Sequence, residues 1–198
     1  YLTRDVTLNI SWVPPGDIVL DLNGHNITMN GEGCVINQEY YGTFTLTDCK
    51  GNADKYGKVT HGNNIAGGGI YNTSSTSDSN FVMYGGSITG NTGHGVFFKY
   101  KQSSNRSFTM YGGESTGNTT SSGGGVYVGC GNTFTMKGGI ITGNKAEQNG
   151  GGVYVAVNDD KWKTPGVFNV SGDAQITRNY KTDDTTADNV YLQSDTNG

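Results

Sequence analysis

The stretch that decides the fold is Thr133-Phe-Thr-Met-Lys-Gly-Gly-Ile-Ile-Thr-Gly-Asn144, followed after a short polar loop by Gly150-Gly-Gly-Val-Tyr-Val155. It is one unit of a repeat, because related units start at Asn80, at Ser107 and, in a more diverged form, at Val167. The phenylalanines of successive units are 27, 26 and 34 residues apart, and the extra residues of the last interval fall in a polar loop. A recurring period of this length, with insertions confined to loops, predicts a solenoid.

Within each repeat unit the local signals are those of β-strands. The segments Phe-x-Met and Val-Tyr-Val are short, rich in β-branched and aromatic residues, and bounded by glycine. No window shows the 3.6-residue periodicity of an amphipathic helix. Short strands joined by tight turns, about three to a period, predict an all-β fold: a right-handed parallel β-helix of about five to six rungs spaced about 4.8 Å apart.

Side chains at equivalent positions of successive rungs are expected to stack on one another inside such a solenoid. The repeat predicts four inward stacks, made of Phe81, Phe108, Phe134 and Phe168; of Met83, Met110, Met136 and Val170; of Ile88, Ile141 and Ile176, interrupted by Ser115; and of Ile70, Val96, Val126, Val153 and Val190.

The turns of each rung have their own signals. The Gly-Gly pairs at 85–86, 112–113 and 138–139 are predicted to form turns, because glycine adopts positive φ without steric cost. Each Thr-Gly-Asn segment, which becomes Thr-Arg-Asn in the last unit, ends in an asparagine whose amide can hydrogen-bond along the solenoid axis. These asparagines are Asn91, Asn118, Asn144 and Asn179. The loops 72–79, 101–106, 119–122 and 158–165 vary in length and are expected to emerge at one edge of the rod.

The whole chain, 1–198, is expected to form one domain. The open end of a solenoid needs protection from edge pairing, and residues 1–16, with Trp12 followed by Pro14-Pro15, are the predicted N-terminal cap. The regular repeats run over 67–192. The sequence starts within a strand-like pattern, which favours a piece of a longer protein.

Composition narrows the class of protein. The chain has 198 residues, of which 33 are glycine and only 3 are proline, and its formal net charge is −4. Glycine follows no G-X-Y period, which argues against collagen. Acidic and basic residues are interspersed, so there is no basic footprint for nucleic acid. No apolar run is long enough to insert this fragment into a membrane.

Cysteines and glycosylation sequons leave questions open. Three cysteines allow at most one disulfide. A bond between Cys34 and Cys49 and a set of buried free thiols are both compatible with the sequence, and the thiols are favoured. Six Asn-x-Ser/Thr sequons are expected to be mostly coincidental in a chain so rich in these residues, at Asn9, Asn26, Asn72, Asn105, Asn118 and Asn169.

Several segments resemble a known group of repeats. Asp21-Leu-Asn-Gly-His-Asn-Ile-Thr28, Leu46-Thr-Asp-Cys49 and Asn189-Val-Tyr-Leu192, together with the repeat itself, resemble the adhesin-like β-helix repeats of large cell-surface proteins of Gram-positive, often gut, bacteria. The Gly-Gly-x-Ile and asparagine pattern is also similar to the repeats of chlamydial polymorphic outer-membrane proteins. The resemblance implies a right-handed β-helix on an exported, extracellular surface. It implies adhesion or host contact only loosely, because such repeats are scaffolds.

An aromatic residue occupies one position of every repeat strand. Each follows an inward Ile or Val, so strand alternation predicts that it faces outward. The row consists of Tyr71, Phe97, Tyr127, Tyr154 and Tyr191. One interpretation is a ladder that stabilises the sheet by cross-strand stacking. A second is a flat strip that binds sugar rings or a partner protein. A third is that neighbouring loops or domains cover it.

Polysaccharide-active enzymes also use β-helices, so their signatures need weighing. Gly93-His94-Gly95 resembles the Gly-His-Gly of polygalacturonases, and Asp183-Asp184 resembles their paired acids. That family places its acids before the histidine, whereas here they follow it, and its Asn-Thr-Asp and Arg-Ile-Lys elements are missing. The repeat strands carry almost no acids, which argues against a calcium-dependent lyase, and no residues have metal-site spacing.

The sequence therefore predicts a non-catalytic, adhesin-like module at the bacterial cell surface, without metal or cofactor. It is expected to bind a host surface or secreted protein, or a glycan, through the aromatic row and the edge loops. The alternatives are a polysaccharide lyase or glycoside hydrolase, and a purely structural stalk.

Overall fold

The computed structural model describes residues 1–51, 55–61, 67–73, 78–99, 106–157 and 164–194. All regular structure in this part of the chain is β. A first strand, β1 (Val6–Leu8), is followed by the strands of three rungs: β2 (Ile18–Asp21), β3 (Ile27–Met29), β4 (Ile36–Gln38), β5 (Gly42–Thr47), β6 (Lys58–His61), β7 (Ile70–Asn72), β8 (Ser79–Met83), β9 (Ser87–Thr89) and β10 (Val96–Phe98). Those that follow are β11 (Arg106–Met110), β12 (Glu114–Thr116), β13 (Thr119–Ser122), β14 (Val126–Val128), β15 (Asn132–Met136), β16 (Ile140–Thr142), β17 (Lys145–Asn149), β18 (Val153–Val155), β19 (Val167–Val170), β20 (Gln175–Thr177), β21 (Tyr180–Lys181) and β22 (Val190–Leu192).

These strands form three long parallel sheets and one short one. Sheet A has the order β1-β3-β6-β9-β12-β16-β20, sheet B β4-β7-β10-β14-β18-β22, and sheet C β2-β5-β8-β11-β15-β19. Sheet D is β13-β17-β21. The chain visits sheets C, A and B in turn and then returns to C one rung higher. This is the parallel β-helix that the repeat predicts.

The predicted inward stacks are confirmed by the strand registers. Phe81, Phe108, Phe134 and Phe168 are paired in sheet C, and their rings stack with centroids 4.6 to 5.0 Å apart. Phe44 extends this stack by one rung. The stacks built on methionine, isoleucine and valine also hold their register. Ser115, which interrupts the isoleucine stack, donates a hydrogen bond of 3.1 Å to the carbonyl oxygen of Gly125, so its hydroxyl is satisfied in the core.

The predicted asparagine ladder is also present. In each rung the Oδ1 atom accepts hydrogen bonds from both the backbone N–H and the Nδ2 of the asparagine one rung before. For Asn118 and Asn144 these distances are 3.0 and 2.9 Å. The second Nδ2 hydrogen goes to a backbone carbonyl, as from Asn144 to Ser115 at 2.9 Å. At the first end of the ladder, the backbone N–H and the Nδ1 of His61 hydrogen-bond to the Oδ1 of Asn91. At the last end, the Oδ1 of Asn189 accepts hydrogen bonds from the backbone N–H and the Nδ2 of Asn179. Asn118 is fully buried and both hydrogens of its amide are bonded, so the folded protein cannot carry a glycan at this sequon.

The turns before and within the ladder have positive φ, as predicted. The second glycine of each Gly-Gly pair has φ between 80° and 90°. In Thr-Gly-Asn the glycine has φ near 65°, and Arg178 keeps the same left-handed conformation at 55° in the last rung. A side chain other than glycine is strained there, because Cβ approaches the following carbonyl oxygen.

The glycines just before β7, β10, β14 and β18 meet a different demand; they belong to Gly-Gly-Gly segments or, before β10, to Gly-His-Gly. A Cβ on Gly95, Gly125 or Gly152 would lie 2.6 Å or less from a carbonyl oxygen of the next rung. The backbones of successive rungs therefore touch at this corner. Glycine is required there for close approach and not for its dihedral freedom.

The structure corrects one sequence prediction. The segment 119–122, expected as a variable loop, is strand β13 of sheet D, and it lies at the corner between sheets A and B. The other three predicted loops each connect a strand of sheet B to the next strand of sheet C. Most of those loops, and the sequon at Asn105, fall outside the described residues.

The cysteines are all free thiols, so Cys34 and Cys49 are not bonded. Cys34 and Cys130 are buried as expected, whereas Cys49 is exposed. Near the N-terminus, Trp12 pairs with Ile36 at the end of sheet B, and its ring meets Phe44 edge-on at 5.9 Å.

Replacing one asparagine of the ladder is expected to destabilise the whole rod. Asn144→Ala leaves the backbone N–H and the Nδ2 of Asn118 buried without their acceptor. We expect the free energy of unfolding to fall by about 3 kcal/mol or more. Urea unfolding followed by far-ultraviolet circular dichroism measures this. The control is Asn169→Ala on the exposed face of β19, which we expect to change stability by less than about 0.5 kcal/mol. Equal effects of the two substitutions would contradict a stabilising role for the ladder.

Candidate aromatic binding row

The five aromatic residues named from the sequence lie in one unbroken row on the outside of sheet B. The register pairs Tyr71 with Phe97, Phe97 with Tyr127, Tyr127 with Tyr154, and Tyr154 with Tyr191. The neighbours of the first four residues on either side in sequence are buried in the core. The row is therefore a direct product of strand alternation and parallel register.

The rings contact one another along the whole row. Successive centroids are 5.0, 5.2, 5.0 and 5.4 Å apart from the first to the last residue. In the C-terminal part of the row, the rings of Tyr127, Tyr154 and Tyr191 are nearly parallel, with interplanar angles of 6° and 21°. In the N-terminal part the angles are 48° and 37°.

His94 explains this difference in ring orientation. Its imidazole stacks on Phe97 at 4.7 Å and 20°, and it also contacts the rings of Tyr71 and Tyr127. Its Nδ1 atom lies 3.1 Å from the carbonyl oxygen of Gly123, and since a carbonyl only accepts, Nδ1 carries the proton. Burial among these rings lowers the pKa of His94 to about 4, so the imidazole is neutral at pH 7.

The phenol groups of the row differ in their access to water. Burial raises the pKa of Tyr71 to about 12, and burial also raises the pKa of Tyr154. All five side chains of the row are half-buried. Phe97, Tyr127 and Tyr154 each have a neighbouring ring on both sides, so these neighbours cover most of their ring faces. The row therefore presents ring edges and hydroxyl groups to solvent more than open ring faces, and its most regular part is Tyr127, Tyr154 and Tyr191.

A second, more exposed aromatic stack lies at the turn after sheet C. The rings of Tyr84 and Tyr111 stack at 4.9 Å and 7°. Their exposed fractions are 54% and 43%. The Nζ of Lys137, one rung further, lies 5.0 Å from the centroid of Tyr111, within cation–π distance. This pair has the same ring chemistry and spacing as Tyr127 and Tyr154, which makes it a matched comparison for the row.

The acidic residues near the enzyme-like motifs hold turns. Asp183 accepts hydrogen bonds from the backbone of Thr185 and Thr186 and from the Thr186 hydroxyl; the bonds from Thr186 are the main cause that lowers the Asp183 pKa to about 2. Asp184 pairs with Lys145. His94 lies three rungs away, about 14 Å at the ladder spacing, whereas an inverting pair of carboxylates must flank one bond. The structure does not bring the Gly-His-Gly segment and this acid pair together.

A polar groove of about 510 Å³ lies outside sheet A. Lys55, Tyr56 and Lys58 line it together with Glu114 and Thr116, along with other polar residues. It offers hydrogen-bonding groups of both charges on a different face from the aromatic row.

Sequence reasoning missed two features. It did not predict that His94 would pack against the aromatic row. His94 takes the place of the middle glycine of the Gly-Gly-Gly segments at 67–69, 123–125 and 150–152, and this difference is the signal. It also missed a buried polar cluster between sheets B and C. There Asn72 donates to Gln38 and Ser79 at 3.0 and 2.8 Å, and Arg106 donates to the Asn72 carbonyl at 3.2 Å. Burial lowers the pKa of Arg106.

Comparison with protein-family models, with curated proteins and with solved structures gives no match to this chain. Within the described ranges, His, Cys, Asp and Glu side chains do not form a group of three or more that could hold a metal ion. Nor does that part of the chain include a helix able to cross a membrane.

The burial of His94 predicts a pH-dependent stability. Its pKa is lowered from 6.5 to about 4 on folding, so between these values the unfolded chain binds a proton that the folded chain does not. Stability is therefore lost as pH falls through 6.5. We expect the free energy of unfolding to be about 2 kcal/mol lower at pH 5 than at pH 7 because of this residue.

Urea unfolding at the two pH values measures the effect, with His94→Gln as the comparison. Glutamine does not titrate, so the variant should lose this part of the difference and keep the part that comes from carboxylates. If the wild type and the variant show the same change between pH 7 and pH 5, the assignment to His94 is wrong.

Proposed function

We propose that this chain is a non-catalytic display and binding module of an exported cell-surface protein, adhesin-like in role. It contacts a host surface protein, a secreted host protein or a glycan through the aromatic row and the adjoining edge loops. The observation that carries the proposal is the unbroken row of five aromatic side chains on the outside of sheet B.

The rigidity of the row supports a binding role. Each ring is fixed by its neighbours and by a strand paired on both sides, except at the ends of the row. A ligand that contacts it orders few additional side-chain rotamers, which lowers the entropic cost of binding. Tyrosine also offers a large apolar surface with a polar tip, the combination that recurs in protein and carbohydrate recognition.

The use made of the carboxylates supports a non-catalytic role. Asp48 accepts backbone N–H groups of Gly24, Gly51 and Gly57 at 2.6 to 2.9 Å. Asp21 accepts those of Asn23 and Cys49 in the same way. These oxygens hold turns in place, and a general acid or base needs a carboxyl group whose oxygens reach a substrate.

The aromatic row predicts which variants lose binding. The purified protein is screened against arrays of host and plant glycans and a panel of secreted host proteins. Any hit is then measured with Tyr127→Ala/Tyr154→Ala and with the matched control Tyr84→Ala/Tyr111→Ala. We expect the first pair to weaken binding by about tenfold or more, because two central contacts are removed. The control pair is expected to bind like the wild type.

The screen also separates the other functions. A hit that both double variants retain would move the site to the loops or to the groove outside sheet A. Shortened glycan products, detected by mass spectrometry, would replace the proposal with a polysaccharide-active enzyme. Absence of any ligand would favour a structural stalk. Thermal unfolding of both double variants checks that lost binding is not lost folding.

A further inference from the structure

The polar groove outside sheet A contains a buried hydroxyl group without a hydrogen-bond partner. Ser87 is the first residue of β9, and because the next residue, Ile88, is buried in the core, Ser87 faces the groove. Its side chain is 1% exposed, and its Oγ atom has no hydrogen-bond partner among the described residues. A buried hydroxyl without a partner costs free energy, so we expect a polar group from outside the chain to complete it.

Charged side chains stand on both sides of this hydroxyl. The register pairs Lys58 with Ser87 and Ser87 with Glu114, so outward positions of β6, β9 and β12 lie in one line. The two charged residues are two strand spacings apart, about 10 Å. Neither the ammonium group of Lys58 nor the carboxylate of Glu114 has an ion-pair partner within the described ranges. Both charges therefore remain available to a ligand in the groove.

The other lining residues suit a molecule that is rich in hydroxyl groups. Thr89 and Thr116 are register partners beside the charged line, and each hydroxyl can donate and accept a hydrogen bond. Lys55 adds a second cation, and Tyr56 adds an aromatic ring. The volume of about 510 Å³ lies in the usual range for small-molecule sites.

Two polar side chains hold the backbone around the groove in place. The carboxylate of Asp48 accepts the backbone N–H groups of Gly24 and Gly57 at 2.7 and 2.6 Å, which ties the turn at Gly24 to the segment that leads into β6. The Oδ1 of Asn26 accepts the backbone N–H of Lys58 at 3.0 Å. A site that is formed before the ligand arrives orders few groups on binding, which lowers the entropic cost.

We propose that this groove is a second binding site, separate from the aromatic row, for an acidic saccharide: a pyranose ring that carries a carboxylate. The carboxylate of the ligand pairs with the ammonium groups of Lys58 and Lys55. Because a carboxylate only accepts hydrogen bonds, Glu114 requires a donor, which the sugar hydroxyl groups supply. The same hydroxyl groups give the Oγ of Ser87 its missing partner, and the ring of Tyr56 contacts the apolar C–H groups of the sugar.

The two charges of the groove distinguish this ligand from simpler ones. A bare phosphate ion would pair with the lysines, but it would leave the carboxylate of Glu114 without a donor. A neutral sugar would satisfy Glu114, but it would leave the ammonium groups of Lys55 and Lys58 unpaired. An acidic saccharide satisfies the groups at both ends of the groove.

Nuclear magnetic resonance titration of the isotope-labelled protein tests the site. The probes are methyl β-D-glucuronide, methyl α-D-galacturonide and the methyl glycoside of N-acetylneuraminic acid, which arrange their hydroxyl groups differently. We expect at least one probe to shift the amide signals of Lys58, Ser87 and Glu114. The neutral controls are methyl β-D-glucoside and methyl α-D-galactoside, which carry a hydroxymethyl group in place of the carboxylate. We expect a neutral control to bind about tenfold more weakly than its acidic counterpart, because a charge-assisted hydrogen bond is lost.

Variants separate the groove from the aromatic row. Lys58→Gln is expected to weaken binding of the acidic probe about tenfold, whereas Lys137→Gln, the same change at the turn after sheet C, should bind like the wild type. Ser87→Ala is expected to weaken binding several-fold without lowering the thermal stability, since no hydrogen bond within the described chain is lost. Tyr127→Ala/Tyr154→Ala should bind the probe like the wild type, so the two sites are tested independently.

Several results would overturn the proposal. They are the absence of signal shifts with all three probes, equal affinity for an acidic probe and its neutral counterpart, and unchanged affinity in the folded Lys58→Gln variant. Inorganic phosphate that binds as tightly as the acidic probe would reduce the groove to an anion site. Shifts confined to sheet B would assign the saccharide to the aromatic row instead.

Discussion

The structure depends on one constraint: every rung must place its side chains directly over those of the rung before, about 4.8 Å away. The core is thin, so each inward side chain finds its main partners above and below itself. This explains why phenylalanine follows phenylalanine and asparagine follows asparagine. The asparagine ladder meets the same constraint with polar groups, because an amide repeated at the ladder spacing satisfies its own neighbour and a backbone carbonyl. A substitution of one inward side chain therefore disturbs its packing against both the rung before and the rung after.

The same constraint determines what the surface can carry. A repeat that places a valine inward also places the next residue outward, so one outward aromatic residue per unit is enough to produce a continuous row. The stacking that makes the row rigid also covers most of each ring face. A ligand bound at the row, as proposed, would meet ring edges and hydroxyl groups, which suits a polar contact with a sugar or a peptide better than flat stacking on open ring faces. His94 reduces the accessible length of the row, because its imidazole covers the ring of Phe97. The regularly stacked part is Tyr127, Tyr154 and Tyr191.

The sequence predicts most of this fold because the information is repeated. Four inward stacks, the asparagine ladder and the positive-φ glycines each recur in several units, so a single diverged position such as Ser115 does not hide the pattern. The features that were missed occur once or change between rungs. Sheet D is built from Thr119–Ser122, Lys145–Asn149 and Tyr180–Lys181, which share no apolar pattern. The site is predictable only in part: alternation gives the row, but ring tilt and the contact with His94 depend on packing that no local pattern encodes.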